Sequence, residues 1–121
     1  MQIEHIAVIG AGQMGTGIAQ VAAAAGFQVQ LLDVDEKLAV RAKERIDGAL
    51  AGQVKKGKLE DKVRIETVSR ITPIQRFAQL GNAQLVIEAA IEDVNIKSEI
   101  FRQAQAVISE DAILASNTSS I

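Results

Sequence analysis

Cysteine, tryptophan and tyrosine are absent from this 121-residue chain. Without cysteine there is no disulfide, no thiolate metal ligand and no thiol nucleophile. Three Phe make up the whole aromatic complement, too few for platforms on which the bases of single-stranded nucleic acid stack. No apolar run approaches the ~20 residues of a membrane span. The N-terminal "MQIEHIAVIG" lacks the basic start of a signal peptide. Lys and Arg number 13 against 15 Asp and Glu, a net charge of −2, so no basic face is present to attract nucleic acid. A cytoplasmic location is expected, with no nucleic-acid partner, no membrane partner and no metal. The length allows one small domain with a real core, and not two.

What is present is a regular alternation of apolar patterns. Residues 3–9 (Ile3, Ile6, Ala7, Val8, Ile9) form a near-continuous apolar run, as in a strand buried on both faces of a parallel sheet. From Gly12 the period becomes helical, with Met14, Ile18, Val21, Ala22 and Ala25 on one face, and Gly26 stops it. "FQVQLLD" (27–33) reads as a second strand. Asp35 can cap a long helix in which Leu38, Ala42, Ile46, Ala49, Leu50 and Val54 recur at helical spacing, until Gly57. "KLEDKVRIETVSR" (58–70) predicts a shorter returning helix, and "RITPI" (70–74) a short third strand ended by Pro73, the only proline. "AQLVIEAA" (83–90) predicts a strand. Asp93 then opens a helix carrying Ile96, Ile100, Phe101, Ala104, Val107 and Ile108, and "AILA" (112–115) is a fifth strand leading into "SNTSSI". Strands alternating with helices imply a parallel sheet covered on both faces, and right-handed crossovers make it an α/β, doubly wound, Rossmann-type fold.

The stretch "IAVIGAGQMGTGIAQ" (6–20) holds Gly10, Gly12, Gly15 and Gly17. A glycine inside a helix costs up to about 1 kcal/mol relative to alanine, so something must need bare backbone there. Gly10-Ala11-Gly12-Gln13-Met14-Gly15 is a G-x-G-x-x-G between a predicted strand and a predicted helix, the context in which that motif binds a dinucleotide. Gly10 permits the tight turn, Gly12 lets backbone approach a pyrophosphate, and Gly15 lets the helix pack on the strand. Free N–H groups and the helix dipole then hold the phosphates. Asp33 ends the second strand 18 residues after Gly15, near the ~20 expected for the acid that accepts the ribose hydroxyls. It would repel a 2′-phosphate, and Val34, Asp35 and Glu36 follow with no Arg to welcome one. The cofactor is therefore expected to be NAD rather than NADP.

"GAGQMGTGIAQ" (10–20), "VIEAAIEDVNIKSEIF" (86–101) and "LASNTSSI" (114–121) together resemble the N-terminal, NAD-binding domain of the 3-hydroxyacyl-CoA dehydrogenases, and within them the bacterial 3-hydroxybutyryl-CoA branch. The resemblance covers essentially all 121 residues. It implies interconversion of an L-3-hydroxyacyl-CoA and the 3-ketoacyl-CoA by hydride transfer to NAD. It also implies that Glu92 and Lys97 lie near the nicotinamide ribose. Ser119 is implied as the serine beside the nicotinamide and the substrate oxygen, where a hydroxyl can donate to the C3 oxygen. Ser116, Asn117 and Thr118 would shape that loop, with Asn117 near the cofactor. Lys56 matches a lysine that reaches the CoA. By their residue types alone, Glu92 and Lys97 read as a helix-start carboxylate and a solvated lysine, and only the resemblance gives them a cofactor role; the serine loop reads also as a polar turn, and Lys55, Lys56 and Lys58 as a basic helix end.

The resemblance further implies a His held by a Glu as general base, beyond the serine loop, and a helical second domain that builds the acyl pocket and a homodimer or higher oligomer. His5 is the only histidine and sits at the start of the first strand, with no chemistry expected of it. Residues 1–121 are therefore expected to be the NAD-binding domain as a fragment. It would bind NAD and take an acyl-CoA partner only within a larger parent enzyme. Apolar surface uncovered by the missing parts would favour self-association. Two other readings stand beside this one: a stand-alone NAD-binding regulatory module, and another β-hydroxyacid dehydrogenase, against which "SNTSS" argues.

Overall fold

The computed structural model describes residues 3–89, 94–108 and 111–116. Five strands form one all-parallel sheet: β1 (His5–Ile9), β2 (Gln28–Leu32), β3 (Ile71–Ile74), β4 (Leu85–Glu88) and β5 (Ile113–Ser116), in the spatial order β3-β2-β1-β4-β5. The order reverses direction between β1 and β4, which is where open α/β sheets leave a crevice at their C-terminal edge. Four α-helices connect the strands: α1 (Gln13–Ala24), α2 (Glu36–Lys55), α3 (Asp61–Ser69) and α4 (Val94–Gln105), with a 3₁₀ turn at Phe77–Leu80. This is the element order read from the sequence.

Successive β1 side chains point to opposite faces, and the core divides accordingly. Ile6 and Val8 pack with Val29, Leu31, Ile46 and Leu50 under α1 and α2. Ala7 and Ile9 pack with Leu32, Leu80, Val86 and Ala104 under the 3₁₀ turn and α4. Asp35 caps α2, its carboxylate accepting from the Lys37 N–H at 3.0 Å. The Arg64 guanidinium of α3 bridges Asp61 and Asp47, tying the returning helix to α2. The Arg70 guanidinium donates to the Ala23 carbonyl at 2.9 Å, satisfying the C-terminal end of α1.

Four expectations are corrected. The fully buried residues of α1 are Gly15, Ala19 and Ala23; of the expected apolar set, Ile18 and Ala22 are partly buried against the core, while Met14, Val21 and Ala25 are exposed along an open groove of about 630 Å³ beside Phe27 and Ile87. The sheet needs α1 close, and only small side chains allow that approach. Leu38 and Ala49 are exposed, and the inward stripe of α2 is Ala39, Ala42, Ile46 and Leu50. Pro73 lies inside β3, paired with Leu31, rather than ending the strand. β3 is an edge strand, where a missing N–H is tolerated. Finally, α4 stops at Gln105, and Val107 and Ile108 follow it as turn residues that still pack on the second core cluster.

Candidate functional site

The glycine loop leaves the C-terminal end of β1, where the Gly10 N–H donates to the Leu32 carbonyl at 2.7 Å and continues the ladder toward β2. Gly10 has φ 110°, a conformation that side chains resist. A Cβ on Gly15 would lie 1.7 Å from the Gly10 carbonyl oxygen, so the third glycine lets helix and turn touch. Gly12 is different: a Cβ there would meet nothing within 4 Å. It is the N-cap of α1, with no side-chain cap hydrogen bond, and its bare face opens on a cleft. That is the arrangement a pyrophosphate requires, with exposed backbone at the positive end of a helix.

The cleft has a volume of about 720 Å³ and is lined by Gly10, Gly12, Gln13, Met14 and Asp33 on one side. Leu38, Phe77, Ile100, Glu99 and Gln103 line the other. Asp33 is held in place by backbone at both of its oxygens. One carboxylate oxygen accepts from the Ala11 N–H at 3.0 Å and the other from the Asp35 N–H at 3.0 Å. A carboxylate has about four acceptor sites, so two remain for a pair of ribose hydroxyls. The residues therefore fit the adenosine and pyrophosphate half of a dinucleotide. Asp33 and Asp35 divide two tasks, the cleft and the helix cap.

The family model for the NAD binding domain of 3-hydroxyacyl-CoA dehydrogenase matches residues 5–121. The chain belongs to that family. It is 44% identical over 119 residues to the 3-hydroxybutyryl-CoA dehydrogenase of Bradyrhizobium diazoefficiens, covering 98% of this chain and 41% of that protein. The crystal structure of 3-hydroxybutyryl-CoA dehydrogenase from Escherichia coli superposes with a TM-score of 0.96 at 40% identity, over 100% of this chain and 26% of that one. That of (S)-3-hydroxybutyryl-CoA dehydrogenase from Ralstonia eutropha does so with a TM-score of 0.94 at 33% identity, over 99% of this chain and 42% of that one. The chain thus spans less than half the length of these relatives. For this NAD-binding domain the cofactor is NAD.

Within the 3-hydroxyacyl-CoA dehydrogenase domain, the structure gathers some of the predicted residues and not others. Gly10, Gly12, Gln13, Met14 and Asp33 meet at the cleft, with Ala11 buried beneath and Gly15 behind. Lys56 is the exposed residue at the far end of α2 from Leu38, ~27 Å along the helix at 1.5 Å per residue, and it does not line the cleft. Glu92, Asn117, Thr118 and Ser119 lie outside the described residues, as does the side chain of Lys97 in α4. His5 begins β1, at the opposite edge of the sheet from the glycine loop, with its N–H donating to the Gln84 side-chain oxygen at 3.0 Å. Among the described residues, no helix is long and apolar enough to cross a membrane and no cluster could hold a metal ion.

Glu88 was not singled out by sequence. It is fully buried at the C-terminal end of β4, where its carboxyl accepts from the Ser116 hydroxyl at 3.1 Å. The signal was there: a carboxylate in an apolar strand. Phe77, Glu99, Ile100 and Gln103 were also missed as cleft residues. Phe77 and Gln103 lie outside the stretches that carry the resemblance, and Glu99 and Ile100 lie within 86–101 but read there as positions on a helix.

Proposed function

We propose that this chain binds the adenosine and pyrophosphate half of NAD in the cleft between the glycine loop and α4. In the whole protein it would serve the interconversion of an L-3-hydroxyacyl-CoA, 3-hydroxybutyryl-CoA above all, and its 3-ketoacyl-CoA. The observation that carries this reading is the Asp33 carboxylate, fixed by two backbone N–H groups at the lip of a cleft whose floor is the open face of Gly12. NAD, when bound, supplies the hydride acceptor. The chain's own part is to orient it. Gly12 and Gln13 offer backbone at the helix N-terminus, and Asp33 takes the ribose diol and repels a 2′-phosphate.

The remaining roles rest on the family resemblance. Glu92, Lys97 and Asn117 would position the nicotinamide ribose. Ser119 would donate a hydrogen bond to the C3 oxygen as its charge changes. Lys56 would contact a CoA that passes along the α2–α3 pair. The general base would be a histidine outside these residues, since His5 stands at the wrong edge of the sheet. Loss of a general base costs 10²–10⁴-fold, so residues 1–121 by themselves should bind NAD and turn over little or nothing. The parent enzyme is proposed to act as a homodimer or higher oligomer in the cytoplasm.

Calorimetric titration tests the cofactor site directly, as the chain has no Trp or Tyr to quench. NADH should bind in preference to NADPH. Asp33→Ala should weaken NADH by about 30-fold or more, from loss of charge-assisted hydrogen bonds of about 2 kcal/mol or more, and should narrow the gap to NADPH. An unchanged NADH affinity in that variant would refute the assignment.

A further inference from the structure

The cleft continues past Asp33 into a region the glycine motif does not explain. If phosphates sit at Gly12 and ribose at Asp33, the base must lie against the apolar wall of Val34, Leu38, Phe77 and Ile100. Among the described residues, the charged or amide side chains lining the cleft apart from Asp33 and Gln13 at the phosphate end are Glu99 and Gln103. They stand one turn apart on α4, Glu99 half exposed and Gln103 partly buried above the buried Ala104.

Their hydrogen bonding is directional. Arg102 holds the Glu99 carboxylate through both guanidinium contacts, and the Gln103 amide nitrogen donates to the same carboxylate at 2.9 Å. Those bonds, the guanidinium's first, hold the Glu99 carboxyl down at about 2, so it stays ionised and can only accept. The Gln103 amide must therefore turn its NH₂ toward Glu99, which leaves its carbonyl oxygen as an outward acceptor. Three of the four acceptor sites of Glu99 are occupied, and one is left. The pair thus offers two acceptors and one remaining amide hydrogen at the rim of the base pocket.

We propose that Glu99 and Gln103 read the purine of the dinucleotide, and that they select a 6-amino base over a 6-oxo base. An adenine presents an N6–H donor beside a ring-nitrogen acceptor, the pattern that a glutamine amide matches. A hypoxanthine presents O6 in place of the amino group, and acceptor then faces acceptor. Glu99 supplies one contact and, by orienting Gln103, prevents the amide from turning over to suit the wrong base. The inference rests on the cleft being the NAD site.

The test is a pair of calorimetric titrations of this chain, with NADH and with reduced nicotinamide hypoxanthine dinucleotide. The wild-type chain should bind NADH about tenfold more tightly, the value of one such hydrogen bond made or mismatched. In Glu99→Gln the side chain can both donate and accept, Gln103 is freed to turn, and the ratio should fall toward one with NADH still bound. In Arg102→Ala the carboxylate persists and the ratio should hold. Equal binding of both dinucleotides by the wild-type chain would overturn the base readout and leave the NAD site standing. So would an unchanged ratio in Glu99→Gln. Failure of both dinucleotides to bind would overturn the cleft assignment and this inference with it.

Discussion

Toward the sheet, α1 presents Gly15, Ala19 and Ala23, all buried. On its other side Met14 and Val21 are 52% and 72% exposed. The helix sets its smallest side chains against the sheet, packs Ile18 and Ala22 at the margin of the core, and leaves Met14 and Val21 outward. The inner face is governed by distance. The helix must come close enough for Gly15 to touch the Gly10 carbonyl, because only then does its N-terminus end at the floor of the cleft. The outer face is under no such constraint, and its residues are free to be large. The two faces therefore predict different sensitivities to the same kind of change. Gly12 and Gly15, three residues apart, sharpen the contrast, since one borders open space and the other has none.

The largest effect should come from Gly15→Ala. The added methyl cannot share 1.7 Å with the Gly10 oxygen, so loop and helix must part. Overpacking of this kind costs about 1–3 kcal/mol or more, beyond the ~1 kcal/mol that alanine returns to a helix. The thermal midpoint should drop by about 10 °C, and calorimetric NADH binding should be lost with it. A midpoint within a degree of wild type would break the distance argument. Gly12→Ala should behave otherwise. Its backbone is extended, at φ −75° and ψ −167°, and the methyl enters open space. Stability should hold within about 0.5 kcal/mol while NADH binding falls about tenfold or more, as the methyl occupies room the pyrophosphate needs. Loss of stability with binding intact would reverse the roles assigned to the two glycines. Val21→Ser on the outer face should be the smallest, within about 0.5 kcal/mol by denaturant titration. A larger loss would show that the open groove is a covered surface.

The glycine loop, Asp33 as its partner and Asp35 as the α2 cap were legible because each is a local requirement. A tight turn needs Gly10, a helix start needs Asp35, and a strand of five residues sets where Asp33 falls. The strand runs were legible for a similar reason, since a parallel sheet buried on both faces leaves an unbroken apolar signature at β1. The face of α1 was legible only in part, at Ile18 and Ala22, because periodicity measures hydrophobicity, and here closeness, not hydrophobicity, chose the innermost residues. Leu38 was misread likewise. It shares the helical spacing of Ala42 and Ile46, yet the cleft begins where it stands.

By itself the sequence determined the order of elements, the dinucleotide loop, its acidic partner and the family, all of which depend on residues near one another or on a motif as a whole. Only the tertiary structure decided what closes the cleft. Phe77, Glu99, Ile100 and Gln103 meet Asp33 because β4 crosses to the far side of β1 and carries α4 back over the sheet edge. The burial of Glu88 beside Ser116 follows from the same crossover, which pairs the ends of β4 and β5. A cleft shared by segments some 65 residues apart in the chain, as Asp33 and Glu99 are, leaves no periodic trace in either segment. Such residues come to line one cleft only once the parallel sheet has set the geometry.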